Sequence, residues 1–99
     1  MKKPKATVTR TASELAAALG LSPADGLEIE IRSNLNDKII EVVKRKGLTH
    51  AQVAKLAKTS RTRVTAIMNR NTLEISIDLM LRILAAIGVR AKLQFRNAA

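Results

Sequence analysis

The chain has 99 residues, no cysteine, a single aromatic side chain (Phe95) and a formal net charge of +10. Its size allows one small domain whose core must be filled by Leu, Ile, Val and Ala. The composition excludes a disulfide framework, a thiolate zinc site and a thiol nucleophile. No apolar run reaches transmembrane length or forms a signal-peptide core, so a reduced cytoplasm is the expected location.

Residues 1–10, MKKPKATVTR, are polar, basic and interrupted by proline, the composition of a disordered tail. Lys2, Lys3, Lys5 and Arg10 can touch phosphates or an acidic partner, or simply solubilise the chain. Residues 11–33 read as an N-terminal helical extension. Thr11 or Ser13 caps a short helix through Glu14, Leu15 and Leu19, and Gly20 ends it. Ser22-Pro23 starts a second helix, with Pro at the first helical position; Asp25-Gly26 is expected to interrupt it.

The segment Leu27-Glu28-Ile29-Glu30-Ile31-Arg32 is open to two readings. Its alternation suits a strand, while Leu27, Ile31, Leu35, Ile39 and Val42 fall on one helical stripe. With no Gly or Pro before Gly47, a helix over most of 27–46 is favoured. Lys44, Arg45 and Lys46 suit its negative end, and Gly47 its C-cap.

The run 48–70, LTHAQVAKLAKTSRTRVTAIMNR, reads as two short helices joined by a tight turn. Thr49 with Gln52 three residues later has capping-box spacing, and Ser60 repeats the capping signal. Val53, Ala54 and Ala57 recur at helical spacing before Ser60, as do Val64, Ile67 and Met68 after it. The second helix offers Arg61, Thr62, Arg63, Thr65, Asn69 and Arg70 on its other face, all hydrogen-bond donors and none acidic. Such a face suits the major groove of DNA. From Val42 to Leu73 there is no acid, while Lys44, Arg45, Lys46, Lys55, Lys58, Arg61, Arg63 and Arg70 all fall inside.

Asn69-Arg70-Asn71 ends this helix, asparagine being able to turn left-handed. Ser76 caps the last helix, in which Ile77, Met80, Leu81, Leu84 and Ile87 should face the core before Gly88 stops it. From Val89 to Arg96 the period changes to two, with Val89, Ala91, Leu93 and Phe95 on one side. A lone strand needs a partner for its backbone. Pairing with its own copy across a two-fold axis would make a homodimer; pairing with 27–31 inside the chain is the alternative.

No nucleophile–base set, glycine-rich phosphate loop or acidic pair occurs, so no enzymatic activity and no cofactor are expected. His50 is the only histidine, and no second ligand stands at metal-binding spacing.

Leu48-Thr49-His50-Ala51-Gln52-Val53-Ala54 and Thr59-Ser60-Arg61-Thr62-Arg63-Val64-Thr65 resemble the Cro/repressor-like (XRE) helix-turn-helix family. Its usual pattern reads L-T-Q-x-E-x-A, then a small residue, then S-Q-x-x-V-S. The continuation Ile75-Ser76-Ile77-Asp78-Leu79 to Leu84-Ala85-Ala86-Ile87-Gly88-Val89 resembles antitoxins of HigBA-type toxin–antitoxin modules. Two residues depart from the pattern: His50 replaces the usual Gln, and Lys58 stands where Gly commonly ends the first of the paired helices, which should strain that turn.

The resemblance implies an all-α, lambda-repressor-like five-helix domain with a helix-turn-helix at 34–88. A C-terminal dimerisation strand and tail at 89–99 follow, the contact being made by Val89, Ala91, Leu93 and Phe95. It also implies that Arg61, Thr62, Thr65 and Ala66 face bases. The Arg61 guanidinium can donate twice to guanine O6 and N7, and Thr62 and Thr65 can meet a thymine methyl or a phosphate. His50 and Gln52, with nearby free N–H groups, would lie against phosphate. Ser60, Lys58, Arg63, Asn69 and Arg70 complete the expected DNA-binding set.

The function implied is a dimeric, nucleoid-associated repressor acting on double-stranded DNA at a palindromic operator, with a RelE-like toxin as protein partner and no membrane role. A stand-alone or prophage regulator is the alternative within the class. A protein-binding neutraliser without DNA reading is the alternative outside it. Sequence-indifferent RNA binding is disfavoured, because single-strand recognition leans on aromatic platforms.

Overall fold

The computed structural model describes residues 18–20 and 22–97. Among the described residues four helices are bounded, in order: α1 (Pro23–Lys46), α2 (His50–Ala57), α3 (Arg61–Met68) and α4 (Ile77–Ala86). The chain divides inside α1 into two units, 1–34 and 35–99.

In the first unit, Ser22 starts α1. Its Oγ accepts from the Asp25 N–H at 3.1 Å, and Asp25 Oδ2 accepts from the Ser22 N–H at 3.3 Å. That reciprocal pair is a capping box with aspartate in the third position. The expected break at Asp25-Gly26 is therefore absent. Asp25 belongs to the cap, and Gly26 donates back to the Ser22 carbonyl at 3.0 Å. The 27–32 segment is helical too, which resolves its ambiguity against a strand and removes it as an intrachain partner for the C-terminus. Arg32 and Glu28 pair one turn apart at 2.9 Å. Leu27 is 55% exposed; the apolar stripe read from 27 onwards packs against the core at Leu35, which is partly buried, and is fully buried from Ile39.

The second unit is built on serine and threonine at helix starts and left-handed residues at helix ends. Thr49 caps α2 in a full capping box, Ser60 caps α3 through the Arg63 N–H, and Ser76 caps α4 through the Leu79 N–H. Each such cap contributes about 1 kcal/mol. Each helix ends in the same paired-bond motif. Gly47 and Leu48 donate to the Lys44 and Val43 carbonyls, Lys58 and Thr59 to Lys55 and Ala54. Arg70 and Asn71 donate to Ile67 and Ala66, Gly88 and Val89 to Ala85 and Leu84. This is the Schellman arrangement, whose turning residue must adopt positive φ. Glycine fills that position after α1 (Gly47, φ +65) and α4 (Gly88, φ +91); Lys58 (φ +56) and Arg70 (φ +61) fill it after α2 and α3.

The strain expected at Lys58 is thus present. The left-handed residue after α3 is Arg70 and not an asparagine, because the helix ends on Asn69 with φ −94 and the reversal falls one residue later.

The core joins Ile39, Val42 and Val43 of α1, Val53, Ala54 and Ala57 of α2, Val64 and Ile67 of α3, and Ile75, Leu79, Met80, Ile83, Leu84 and Ile87. α2 packs against both α3 and α4, and small Ala54 and Ala57 on its buried side allow the close approach. In α4 the stripe differs from the sequence reading. Leu79 and Ile83 are buried, whereas Leu81 is 42% exposed. The capped helix turns its 79/80/83/84 edge to α2, which carries Leu81 outward.

Two cations tie helix ends across the core. Lys46 Nζ donates to the Ile87 carbonyl at 2.6 Å, and Arg82 Nε to the Ala57 carbonyl at 3.1 Å. Both meet a negative helix C-terminus. Residues 89–97 form neither helix nor strand, so the expected C-terminal strand is not present in the single chain: no strand among the described residues offers it hydrogen bonds. The fifth helix, expected to run from Thr11 or Ser13 to Leu19, lies for the most part outside the described residues. No described helix is long and apolar enough to cross a membrane.

A left-handed non-glycine residue is destabilised by about 1–2 kcal/mol, and extra freedom of glycine in the unfolded chain offsets part of its removal. Lys58→Gly should therefore stabilise the fold by about 0.5–1 kcal/mol, raising the melting temperature by several degrees. Gly47→Ala, where no atom crowds the added Cβ but φ is +65, should lower it by a similar amount. Thermal melts followed by circular dichroism check both, and a lower melting temperature for Lys58→Gly would contradict the backbone account.

Candidate nucleic-acid interface

Three residues, Lys58, Thr59 and Ser60, connect α2 to α3. The left-handed turn at Lys58 reverses the chain, and Ser60 returns to extended backbone (φ −84, ψ 150) to cap the next helix. Val64 and Ile67 are then buried and anchor one side of α3. Its opposite side is left outward, with Arg61, Thr62 and Arg63 exposed at the N-terminal end and Asn69 and Arg70 exposed at the other; Thr65 and Ala66 are half-buried between them.

The electrostatics of this face follow from what is missing beside it. Among the described residues, the ion pairs are Arg32–Glu28, Lys38–Glu41, Arg45–Glu41 and Arg70–Asp37. Lys55, Lys58, Arg61 and Arg63 have no carboxylate of the described residues within pairing distance, so their charge is available to an anion. The caps leave further donors free. Thr49 Oγ1 takes the Gln52 N–H and Ser60 Oγ takes the Arg63 N–H. The N–H groups of His50 and Ala51, and of Arg61 and Thr62, are not consumed by these caps and lie at the positive ends of α2 and α3.

Not every expected contact residue is free. Gln52 Oε1 accepts from the Thr49 N–H at 2.8 Å, so only its NH2 group remains for a ligand. His50 Nδ1 and Thr65 Oγ1 lie 2.9 Å apart, linking the first turn of α2 to the middle of α3. Arg70 Nη1 reaches Asp37 Oδ1 at 2.6 Å, with both side chains more than half exposed. The structure thus gathers Ser60, Arg61, Thr62 and Arg63 with Lys58 around the start of α3. It sets Asn69 and Arg70 at the far end and gives His50, Gln52, Thr65 and Arg70 internal partners as well.

Sequence reasoning missed Asn36. It is the only buried polar residue among the described ones, 4% exposed, and its Nδ2 donates to the Ile67 carbonyl at 2.8 Å. An Asn at helical spacing between Leu35 and Ile39, on the apolar stripe, was the available signal. Asp37 and Arg82 were missed as well, and their partners, 33 and 25 residues away, could not be read from spacing. Thr59 Oγ1, in the connecting turn, is buried without a hydrogen-bond partner, for which the fold offers no reason. No cluster of three or more His, Asp or Glu that could hold a metal occurs among the described residues.

Comparison with known proteins gives one positive finding. The family model described as a helix-turn-helix domain matches residues 13–96, most of the chain, including α1 to α4. No curated protein and no solved structure matches it.

The His50–Thr65 contact is a partly buried side-chain hydrogen bond, a class worth about 0.5–1.5 kcal/mol net. In a double-mutant cycle of His50→Ala and Thr65→Val, unfolding free energies should show coupling of about 0.5–1 kcal/mol. Strict additivity would mean that the two side chains do not support each other.

Proposed function

The chain belongs to the helix-turn-helix domain family, and on that premise we propose that it is a sequence-specific DNA-binding repressor acting as a dimer. The observation that carries this reading is the start of α3. Arg61, Thr62 and Arg63 stand exposed on a helix whose other side is locked in the core, inside a window without acids. A reading helix must meet two demands: cations and helix N-termini hold phosphates, and side chains near them reach base edges. Lys55, Lys58 and Arg63, with the free N–H groups of α2, suit the first. Arg61 suits the second, with Thr62 beside it. Ser60 holds the first turn of α3 in place for them, and Asn69 and Arg70 reach the phosphates flanking the other end.

Dimerisation through 89–97 rests on a different observation. In the single chain Leu93 and Phe95 are 77% and 90% exposed, and their backbone has no partner strand among the described residues. Pairing of Val89, Ala91, Leu93 and Phe95 with the same residues of a second copy would cover these side chains and satisfy that backbone. Two copies placed about 34 Å apart along the duplex would read a palindromic operator. The sequence resemblance to antitoxins extends the proposal: a RelE-like toxin as protein partner, repression of a shared operon, and action at the nucleoid.

Arg61→Ala should lower affinity for a duplex selected from a random pool by about 1–3 kcal/mol and relax the preference at one base position. Lys58→Ala should weaken selected and scrambled duplexes alike and reduce the salt slope by about one. Identical behaviour of the two variants on both duplexes would remove Arg61 as a reader. Deletion of 89–99 should convert dimers to monomers in sedimentation, and dimers that survive it would exclude the tail as the interface. Co-expression with a RelE-like protein encoded beside this chain should yield a complex; an unrelated neighbour would remove the antitoxin part alone.

A further inference from the structure

We propose that Asn36 is a positioning residue for DNA reading: its amide sets the seat of α3 and so decides where Arg61 meets the bases. This rests on the DNA-reading function proposed for the same helix.

The Ile67 carbonyl is one of the acceptors left open at the C-terminal end of α3. It already receives the Arg70 N–H at 3.0 Å, and the Asn36 amide supplies a second donor at 2.8 Å. The next residue of α1, Asp37, holds the Arg70 guanidinium at 2.6 Å. Two adjacent side chains of α1 thus grip the same helix end, one at its backbone and one just beyond its last residue. They differ in setting. The Asp37–Arg70 pair is exposed and screened by water, whereas Asn36 is 4% exposed and its bond to Ile67 is buried.

An apolar residue would serve that core position better if burial were the only demand. Val64 and Ile67 bury α3 but do not fix how far it slides or rolls, because apolar contact has no direction. A hydrogen bond from a buried amide to a single carbonyl does have direction, and leaving that amide unbonded is costly. Buried polar groups are best attested as devices that select one arrangement among several apolar ones. Here the arrangement selected is the placement of α3, and Arg61 stands at its other end, about two turns away. A small shift there moves a guanidinium off the paired acceptors of a base edge. Phosphate contacts tolerate the same shift.

The test compares variants of the full chain on two probes: a duplex that the wild-type chain selects from a random pool, and a scrambled duplex of equal length. Asn36→Leu keeps the charge and fills the volume. It should lose about tenfold in affinity for the selected duplex and change less than twofold on the scrambled one, with thermal stability retained. Asn36→Ala, read at a temperature where it is folded, should show the same split. Ile83→Val trims the core away from the grip and should lower stability while leaving the affinity ratio intact.

Equal losses on both duplexes, or an unchanged ratio in folded Asn36 variants, would overturn the positioning role. A wild-type chain that selects no duplex would overturn the DNA-reading function beneath it, a result distinct from the other two.

Discussion

Everything the second unit presents outward depends on one backbone reversal, the left-handed turn at Lys58. It ends α2 with both orphan-carbonyl bonds made and delivers Ser60 in extended backbone, ready to cap α3. Because α2 packs against α3 and α4, the direction of that turn decides which side of α3 becomes core and which remains in water. Val64 and Ile67 take the first role, Arg61, Thr62 and Arg63 the second. A residue in this conformation without glycine is held at a cost in stability, and the cost recurs at Arg70.

The placement of the two strained positions is informative. α1 and α4 end on glycine; the two helices of the motif end on a lysine and an arginine, one on each side of α3. Among the described residues, the local rule for helix ends is broken only at the two cations that border α3. Strained backbone tends to survive where a site uses the side chain, and here the side chains are charges: Lys58 pairs with no described carboxylate, whereas Arg70 is held by Asp37. Elsewhere side-chain donors serve the fold itself: the cations Lys46 and Arg82 bind carbonyls at the ends of α4 and α2, and the neutral amide of Asn36 binds one at the end of α3.

Much of this was legible in the sequence, because the signals are local. The caps at Thr49, Ser60 and Ser76 and the stop at Gly47 lie within three or four residues of the bonds they make. The pairing of Thr49 with Gln52 is visible as a spacing. The strain at Lys58 was readable as a departure from glycine. Local signals failed where two principles competed: Asp25-Gly26 reads as a breaker until Asp25 is seen to complete the cap, and the alternation at 27–32 fits strand and helix equally. The left-handed residue after α3 fell on Arg70, one step past the residue that propensity favours. Long-range partners were beyond reach. No spacing connects Asn36 to Ile67, Asp37 to Arg70 or Arg82 to Ala57, and Leu81 left the core stripe because α4 turned a neighbouring edge to α2. The tail at 89–97 alternates as a strand does, but alternation cannot supply the neighbour that a strand requires.

The proposed function turns on which surface meets the duplex. The most direct measurement is a titration of the isotopically labelled chain with a duplex selected from a random pool, followed by backbone amide resonances. The largest changes should fall on residues 50–52 and 60–65, at the starts of α2 and α3, with the Arg61 side-chain signal shifting among them. Changes centred instead on Leu81, Ala85 and 88–91, with the first turn of α3 unmoved, would contradict it.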